Sequence, residues 1–475
     1  MKLAPNHLYL AQTDAPTYDG RVDETFPELP EGVVCNTALC LLRTLLKDAA
    51  LDAEHYGKAE WNPLGDLIKP GDKVLLKPNW VDDRNLLRDR SRECLVTHTS
   101  VIEAVLHYVL KARPGSVIVG DAPLQDCDFD QLRAKCKLDE MVKRFKQLGH
   151  EIQIRDFRLT KKTGLYNNSI KVEHQPENYC LFDLGQRSWL NDITNSDTEF
   201  RVTKFNPEVL KQHHNRENHQ YLVTRAVIDA DVVISLPKLK THQKAGVTGA
   251  LKNIVGINGF KEYLPHHRKG GSQSGGDCYV GGGQLKRMAE DALDRANRSN
   301  QRWKKFCNVR FSGLATRLNN MLFGQDRDLG GAWHGNDTVW RMCLDLQRIL
   351  HYGKGDGELS DTMQRKVITI TDAIVAGEGN GPLWPTPLPL GVMTLGGNVA
   401  AVEWVHCLLM GMDPEKIPLV VNAFAHDAWP LVDFTPDKLK VWANGEALKD
   451  LSSVAKFART FTPSPGWLGH CEKVV

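Results

Sequence analysis

The stretch ISLPKLKTHQKAGVTGALKNIVGING, residues 234–259, joins a predicted buried strand to a predicted helix. Its first residues continue an apolar, β-branched run, and Pro237 ends the pairing of that strand. Four lysines, one histidine and several glycines then stand where the strand passes into the helix. A helix N-terminus with lysines nearby is typical of an anion-binding site. We therefore predict strands that alternate with helices, and a seat for negative charge at this junction.

Five further apolar runs share the character of the first strand, and each passes into a polar residue and a turn. Such runs are typical of strands that are buried on both faces of a sheet. Helical patterns lie between many of them, for example at residues 97–112, where threonine and serine offer an N-cap. We predict an α/β fold with a mainly parallel sheet flanked by helices. The five runs are residues 73–80, 116–123, 151–157, 366–375 and 391–397.

Two segments differ in composition from the rest of the chain. The first is polar and irregular, and we interpret it as an inserted subdomain. The second is basic and rich in glycine, which favours a mobile lid, with a plain surface loop as the alternative. The predicted order is a first part of the α/β core at 1–157, a polar insertion at 158–222, the strand, loop and helix of the site at 223–260, the glycine-rich basic lid at 261–331 and the second part of the core at 332–475.

Length and composition exclude several classes of protein. The chain has 475 residues with 41% hydrophobic and 25% charged residues, the usual mixture of a globular protein. The net charge is +2, so no nucleic-acid partner is expected. No apolar run approaches the roughly 18 residues of a membrane span, so we expect a cytoplasmic protein with no membrane partner. The 11 cysteines are scattered with no CxxC pair, which predicts free thiols and no iron–sulfur cluster.

Ligands of open α/β sheets bind beyond the carboxyl ends of the strands, so the residues after each strand are the candidates for a site. Cationic and amide side chains dominate there, which favours an anionic small molecule. In an extended segment Lys238, Lys240 and His242 point to one side, and Thr248 is a candidate cap of the next helix. A solvated, lysine-rich turn is the alternative interpretation. The predicted substrate-binding residues are Lys77, Asn79, Lys238, Lys240, Gly246, Thr248, Gly249, Asn253, His334 and Asn336.

Two residues of the opening stretch are the predicted catalytic pair. Lys252 is surrounded by other cations and by a helix N-terminus, which favours a lowered pKa and suits its amine to act as a nucleophile or base. His242 lies ten positions earlier, across a glycine turn, and is suited to proton transfer. A structural, hydrogen-bonded histidine is the alternative for His242 alone.

Carboxylates at strand ends are candidate ligands of a divalent cation. Asp121 and Asp372 each end a predicted strand, and Glu378 lies in the glycine-rich loop GEGNGP. Each of them is equally suited to cap the element that follows. The sequence contains no HExxH spacing, so it does not indicate a particular metal.

Several motifs together resemble a known family. They are KPNWV, VGDAP, WHGNDTVWR, DAIVAGEGNGP and the lysine, histidine and glycine stretch, and they cover about residues 73–420. The combination resembles the bacterial and archaeal family called domain of unknown function 362, for which no reaction is fixed. Many members carry a ferredoxin-like cysteine cluster. This sequence lacks one, so the electron-transfer role that such a cluster implies is not expected here.

The piece HQKAGVTGALK is also similar to the H-x-x-x-G-x-x-G-x-x-K pattern of the nickel-pincer lactate racemase family. In that family the lysine holds a pyridinium-derived nickel cofactor, and the histidine is an acid or base. The similarity implies that Lys252 tethers a cofactor, that His242 transfers protons, and that His266 or His267 is a metal ligand. A divalent metal or a nickel-pincer-like cofactor is thus a candidate, although the early Asp-Asp-x-Thr-Arg stretch of that family is not evident.

We therefore predict an enzyme that acts on a small anionic metabolite with a carboxylate or phosphate. The Lys/His pair favours proton transfer of the isomerase or lyase type, with group transfer as another reaction of the same site. A protein that binds an anionic metabolite or cofactor without catalysis is the first alternative. A redox protein without its own ferredoxin module is the second.

Overall fold

The structure is a computed structural model that describes residues 3–18, 20–22, 24–85, 91–163, 168–171, 176–323 and 329–473. The strands are β1 (His7–Gln12), β2 (Lys73–Pro78), β3 (Ser116–Asp121), β4 (Gln153–Asp156), β5 (Thr160–Thr163), β6 (Asn168–Lys171), β7 (Tyr179–Asp183), β8 (Phe200–Arg201), β9 (Gln220–Thr224), β10 (Val232–Leu236), β11 (Lys238–His242), β12 (Gly246–Thr248), β13 (His267–Arg268), β14 (Lys366–Asn380), β15 (Trp384–Gly396), β16 (Lys440–Ala443) and β17 (Glu446–Ala447). The α-helices are α1 (Thr37–Asp48), α2 (Thr99–Lys111), α3 (Phe129–Lys135), α4 (Leu138–Gln147), α5 (Pro207–His213), α6 (Arg225–Ile228), α7 (Ala250–Asn253), α8 (Gln284–Arg298), α9 (Arg302–Phe323), α10 (Val339–Tyr352), α11 (Val399–Leu409) and α12 (Pro418–Asn422).

An eleven-stranded sheet forms the centre of the described part of the chain. Nine strands follow the order β17–β16–β1–β15–β14–β10–β2–β3–β4, and β11 and β12 attach beside β14. β10 pairs in parallel with β2 and β14, and β3 pairs in parallel with β2 and β4. β14 and β15 form an antiparallel pair. The predicted α/β fold with a mainly parallel sheet flanked by helices is confirmed.

Each face of the sheet carries its own hydrophobic core, because successive side chains of a strand point to opposite faces. Along β2, Val74 and Leu76 belong to the core that includes α1 and α2, whereas Leu75 belongs to the core that includes α10 and α11. Burying each of these side chains contributes about 1.5–3 kcal/mol. α2 begins at Thr99, and its cap is His98, whose ring accepts a hydrogen bond from Ser100 N at 3.2 Å. The predicted threonine or serine cap is thus displaced by one residue.

The predicted insertion and lid segments contain small sheets and a pair of helices. β5 pairs with β6, β7 pairs with β9, and β8 pairs with β13 of the lid segment. α8 and α9 follow β13 and pack against each other. Residues 164–167, 172–175 and 324–328 of these segments lie outside the described residues, and the division of the chain into five parts stays a prediction. Within the described ranges, no helix combines the length and the apolar character that crossing a bilayer requires.

Candidate functional site

A cavity of about 300 Å³ opens where β2, β3 and β11 end. Because the carboxyl ends of neighbouring parallel strands meet at one edge of the sheet, residues that are distant in sequence converge there. Parts of the insertion and of the lid segment complete its wall. Cations outnumber carboxylates around the cavity. Its charged lining residues are Arg84, Lys162, Lys204, Lys240, Lys244, Lys252 and Lys261 against Asp82, Asp121 and Asp126.

The opening stretch reaches the cavity through two short strands. Pro237 has no backbone N–H and separates β10 from β11. β11 pairs with β14, and β12 folds back on β11 so that Lys240 lies opposite Thr248. Gly246 begins β12 with a φ of +77°, a conformation that favours glycine. As a result Lys240, His242 and Thr248 line the cavity together.

The helix after these strands does not offer an open N-terminus. α7 has 4 residues, and its N-cap is Gly249, with no side-chain cap bond. The predicted cap, Thr248, lines the cavity instead, and its buried Oγ1 has no hydrogen-bond partner in the described part of the chain. Glu403 of α11 accepts a hydrogen bond from Leu251 N at 2.6 Å, and a side chain at Gly249 would collide with it. A carboxylate of the protein itself therefore occupies this helix terminus, and the prediction that the terminus holds a ligand stays a prediction.

Lys77 and Asp121 form a buried ion pair at the edge of the cavity. Lys77 Nζ lies 2.7 Å from Asp121 Oδ1 and donates to the carbonyl of Pro78 at 2.8 Å. Asn253 donates to the Lys77 carbonyl at 2.9 Å and so ties α7 to β2. Gly256 packs on the pair so closely that a Cβ there would lie 1.8 Å from Asp121 Oδ1. Since an ammonium group holds this carboxylate, a metal ion at Asp121 would have to displace Lys77.

A second buried pair, Lys238 and Asp372, is absent from the cavity lining. Lys238 Nζ lies 2.6 Å from Asp372 Oδ2 and donates to the hydroxyl of Tyr18 at 2.7 Å. That hydroxyl donates in turn to Asp372 Oδ1 at 2.6 Å, and His98 N donates to Oδ2 at 2.9 Å. Both carboxylate oxygens are therefore engaged. The pair joins β11 and β14 to the N-terminal segment, and the geometry gives neither residue contact with a ligand in the cavity.

Three lysines of the cavity have no such partner. None of Lys240, Lys252 and Lys261 forms an ion pair with a described carboxylate, although Lys240 donates to Asn79 Oδ1 at 3.1 Å. Burial, with the nearby charges of Lys238 and Lys252, lowers the pKa of Lys240 to about 7. Burial also lowers the pKa of Lys261 to about 8 and lowers the pKa of Lys252. These groups lack a counter-charge that an anionic ligand would supply.

His242 and His266 line the cavity with opposite hydrogen-bonding roles. His242 Nδ1 accepts from the backbone N–H groups of Lys244 at 3.0 Å and Ala245 at 3.2 Å, so the neutral ring carries its proton on Nε2. His266 Nδ1 lies 2.6 Å from the Leu264 carbonyl, to which it must donate, so Nε2 keeps its lone pair. Burial and then nearby lysines lower the pKa of both rings well below 6.5. At pH 7 His242 is a neutral donor and His266 a neutral acceptor.

Other predicted residues lie away from the cavity. His334 stacks on His470 with the ring centroids 3.5 Å apart. Asn336 Oδ1 accepts from two backbone N–H groups at the start of α10, at 3.1 and 2.9 Å. Glu378 accepts from a backbone N–H at 2.7 Å, and His267 lies in a separate buried cluster. The five side chains predicted as metal ligands therefore do not converge on one point.

Several residues of the cavity were missed by the sequence analysis. Lys162 lies 3.5 Å above the ring centre of Phe205, and burial lowers its pKa to about 8. It comes from the irregular insertion, where no pattern marked it. Lys261 continues the positive charge of the opening stretch, and Asp82, whose pKa burial raises to about 7, follows the motif KPNWV directly. Those two signals were present in the sequence.

The fold and the cavity define an α/β protein with a cavity lined by more cationic than acidic side chains. Residues 183–407 match the model of the family described as Domain of unknown function (DUF362). A thylakoid-associated protein of Synechocystis sp. is 24% identical over 355 residues, which cover 75% of this chain and 68% of that protein. A crystal structure of a protein from Thermotoga maritima aligns with a TM-score of 0.31 and 12% identity. That alignment covers 74% of this chain and 58% of the solved chain.

The matches leave several expectations open. They do not show the local similarity to the nickel-pincer lactate racemase family, which stays a prediction. The cytoplasmic location stays a prediction as well. All 11 cysteines are free thiols in the structure, and the expected lack of an iron–sulfur cluster is a statement about sequence spacing only.

Proposed function

We propose that the chain is an enzyme that binds a small metabolite with a carboxylate or phosphate group in the cavity. The observation that carries the proposal is that Lys240, Lys252 and Lys261 have no carboxylate partner among the described residues. A buried charge without a partner costs about 3–5 kcal/mol relative to a paired one. An anion that pairs with these lysines recovers that free energy on binding. A space of about 300 Å³ suits a small molecule rather than a polymer.

Proton transfer at a carbon next to a carboxylate is the reaction that these groups suit best. In the proposal His266 Nε2 takes the proton from that carbon, and the electron pair of the C–H bond moves into the carboxylate. The lysine ammonium groups stabilise the negative charge that develops there. Return of a proton from Lys252 to the opposite face gives an isomerase. Departure of a leaving group from the adjacent carbon, with its bonding electrons, gives a lyase.

The hydrogen bonds of His242 and His266 support different roles for the two rings. In the neutral His242 ring, Nδ1 accepts hydrogen bonds from two backbone N–H groups, and Nε2 carries the proton. The ring can therefore donate to a ligand oxygen but does not take a proton. His266 has the free lone pair. The predicted Lys/His pair is therefore revised to Lys252 with His266 for proton transfer, while His242 orients the substrate.

A binding protein without catalysis remains the second candidate, because the cations of the cavity suffice to hold an anion. No specific observation favours a redox role. The expectations of a small anionic partner and of no nucleic-acid partner belong to this proposal.

Native mass spectrometry of the purified chain tests the ligand class, and a turnover assay on the molecule it identifies tests the enzyme. We expect a co-purifying acid that is lost in Lys252→Ala, and turnover that is lost in His266→Ala while the acid still binds. His426→Ala replaces an exposed histidine and serves as the matched control. Retention of the acid and of full turnover in both variants would refute the proposal. Binding without any turnover in the wild type would leave the carrier function.

A further inference from the structure

Three buried side chains from separate elements meet beside the cavity. His267 lies on β13, Cys278 in the glycine-rich segment after it, and Glu290 on α8. One ring nitrogen, the thiol sulfur and one carboxylate oxygen all lie within 4.8 Å of one another. The exposed fractions of the three residues are 3%, 1% and 4%. Nitrogen, sulfur and oxygen donors at this spacing, shielded from water, have the geometry of a metal site.

A second observation points to a missing ligand. His267 Nδ1 is buried and has no hydrogen-bond partner among the described residues, which costs about 1–3 kcal/mol. A cavity of about 20 Å³, enough for one ion or water, is lined by all three side chains. The other two donors are held in place, since Glu290 accepts from Gly270 N at 2.9 Å and Cys278 Sγ from Gly330 N at 3.1 Å. These backbone contacts orient the carboxylate and the sulfur. Metal-binding side chains in proteins are commonly oriented by a further hydrogen bond of this kind.

We propose that His267, Cys278 and Glu290 bind one zinc ion. Imidazole, thiolate and carboxylate are its usual ligands, whereas magnesium and calcium require oxygen donors throughout. Binding replaces the thiol proton of Cys278 with the metal, and that proton leaves to solvent. The thiolate and the carboxylate then carry two negative charges, which balance the ion.

The ion would connect the lid segment to the wall of the large cavity. It joins β13, the glycine-rich segment and α8 at one point, and His266 is the residue next to His267. Lys244 Nζ also donates to the carbonyl of Gly330, whose N–H contacts Cys278 Sγ. Zinc at this point therefore fixes the position of His266 and is a structural ion. The ion takes no direct part in the reaction proposed above.

The test titrates the full chain, after metal removal with dipicolinic acid, with cobalt and zinc ions. We expect one equivalent of cobalt per chain, with the near-ultraviolet charge-transfer absorption of a cobalt–thiolate bond, and displacement of cobalt by zinc. Cys278→Ser should lose that absorption, and Glu290→Gln should bind at least about tenfold more weakly. Cys307→Ser replaces an exposed thiol and should bind as the wild type does.

A measurement on the unaltered chain covers the case in which a variant does not fold. Zinc should raise the melting temperature of the metal-free wild type, and magnesium should not. Absence of stoichiometric cobalt binding, cobalt binding without a thiolate band, or a melting temperature unchanged by zinc would each overturn the proposal.

A different region carries an independent inference, because α9 turns an apolar face away from the protein. Its buried positions hold small or polar residues, Ser312, Ala315 and Asn319. A helix of a globular protein normally buries its apolar face instead. The large apolar residues of α9 that are exposed by 40% to 78% are Trp303, Phe306, Val309, Phe311, Leu314, Leu318, Met321 and Leu322.

The charge of α9 indicates what covers this face. The helix carries five cations and no acidic residue, namely Arg302, Lys304, Lys305, Arg310 and Arg317. Arg310 lies 5.1 Å from the ring centre of Phe306, and Lys304 lies 5.5 Å from that of Trp303, so cations flank the apolar side chains. We propose that α9 binds an anionic lipid surface in the plane of the interface. A second copy of the chain is disfavoured, because it would bring two sets of five cations together.

This proposal departs from the expectation of no membrane partner, which rested on the lack of a spanning segment. Sedimentation of the full chain with equimolar phosphatidylglycerol and phosphatidylcholine vesicles tests it. We expect the chain to bind the anionic vesicles and not to bind pure phosphatidylcholine vesicles. The double variant Leu314→Glu with Met321→Glu should abolish binding. Leu468→Glu, at an exposed position elsewhere, should leave binding unchanged. No binding to the anionic vesicles, or a dimer in light scattering that the double variant dissociates, would refute it.

Discussion

Two groups of buried or half-buried lysines lie side by side in this molecule and differ in what surrounds their ammonium groups. Lys77 Nζ lies 2.7 Å from a carboxylate oxygen of Asp121, and Lys238 Nζ lies 2.6 Å from one of Asp372. Lys240, Lys252 and Lys261 have none among the described residues, and burial lowers the pKa of each. The ion pairs of the first group join neighbouring elements of the fold and satisfy both charges. The second group of lysines has no negative charge beside it. This difference in pairing, more than burial itself, indicates where we expect a ligand.

The largest effect should come from breaking a paired lysine. Lys238→Met leaves Asp372 buried without its counter-charge, so we expect the free energy of unfolding to fall by about 3–5 kcal/mol. Lys240→Met removes a charge that has no carboxylate partner and loses only the hydrogen bonds to Asn79 Oδ1 and the Leu95 carbonyl, so the free energy of unfolding should fall by clearly less. Urea unfolding at pH 7 measures both. Equal losses in the two variants would remove the distinction between the groups.

A smaller loss is expected from crowding the other pair. In Gly256→Ala the new methyl group meets Asp121 Oδ1 at 1.8 Å, and the Lys77–Asp121 contact must open. Overpacking of this kind costs about 1–3 kcal/mol, visible as a lower melting temperature. Gly313→Ala is the matched control, because a Cβ there meets nothing within 4 Å and alanine favours the helix α9. A melting temperature of Gly256→Ala equal to that of the wild type would contradict the packing described here.

The pH dependence of the free energy of unfolding should reveal the lowered pKa of a lysine in the second group. The pKa of Lys240 is about 7 in the folded chain, against 10.5 as the ordinary value, so folding disfavours its charged form. The resulting cost is absent above pH 10.5, grows as the pH falls, and is complete below pH 7. Relative to Lys240→Met, the wild type should lose stability between pH 10 and pH 7, by at most about 1.4 kcal/mol per pH unit. Parallel stability curves for the two proteins would show that Lys240 has an ordinary pKa.

The smallest effect is expected at Thr248. Its buried Oγ1 has no hydrogen-bond partner in the described part of the chain, so Thr248→Val should change the free energy of unfolding by less than about 1 kcal/mol. If the hydroxyl serves a ligand, the affinity for that ligand should fall several-fold. Calorimetric titration with the co-purifying acid checks this. A clear loss of stability with unchanged affinity would assign the hydroxyl to the fold.

The sequence indicated which residues would meet at the cavity better than it indicated how their charges would be paired. Asn79 and Lys240 meet because β2 and β10 are neighbours, as alternating strands and helices implied. The partner of Lys238 depends on the register of β11 on β14, which places it opposite Asp372, and no local pattern encodes that register. Likewise, Glu403 reaches the start of α7 from a distant helix. Irregular segments such as the one with Lys162 have no periodicity from which a position can be predicted.

The central claim is that the lysines without carboxylate partners bind the negative charge of a ligand. The most direct test is calorimetric titration with citrate and with phosphate at pH 8, in two buffers of different ionisation enthalpy. We predict uptake of about one proton as an anion binds the wild type, because Lys240 and Lys261 become charged, and a smaller uptake with weaker binding in Lys240→Met. Binding without proton uptake, binding that Lys240→Met leaves unchanged, or no binding of either anion would contradict it.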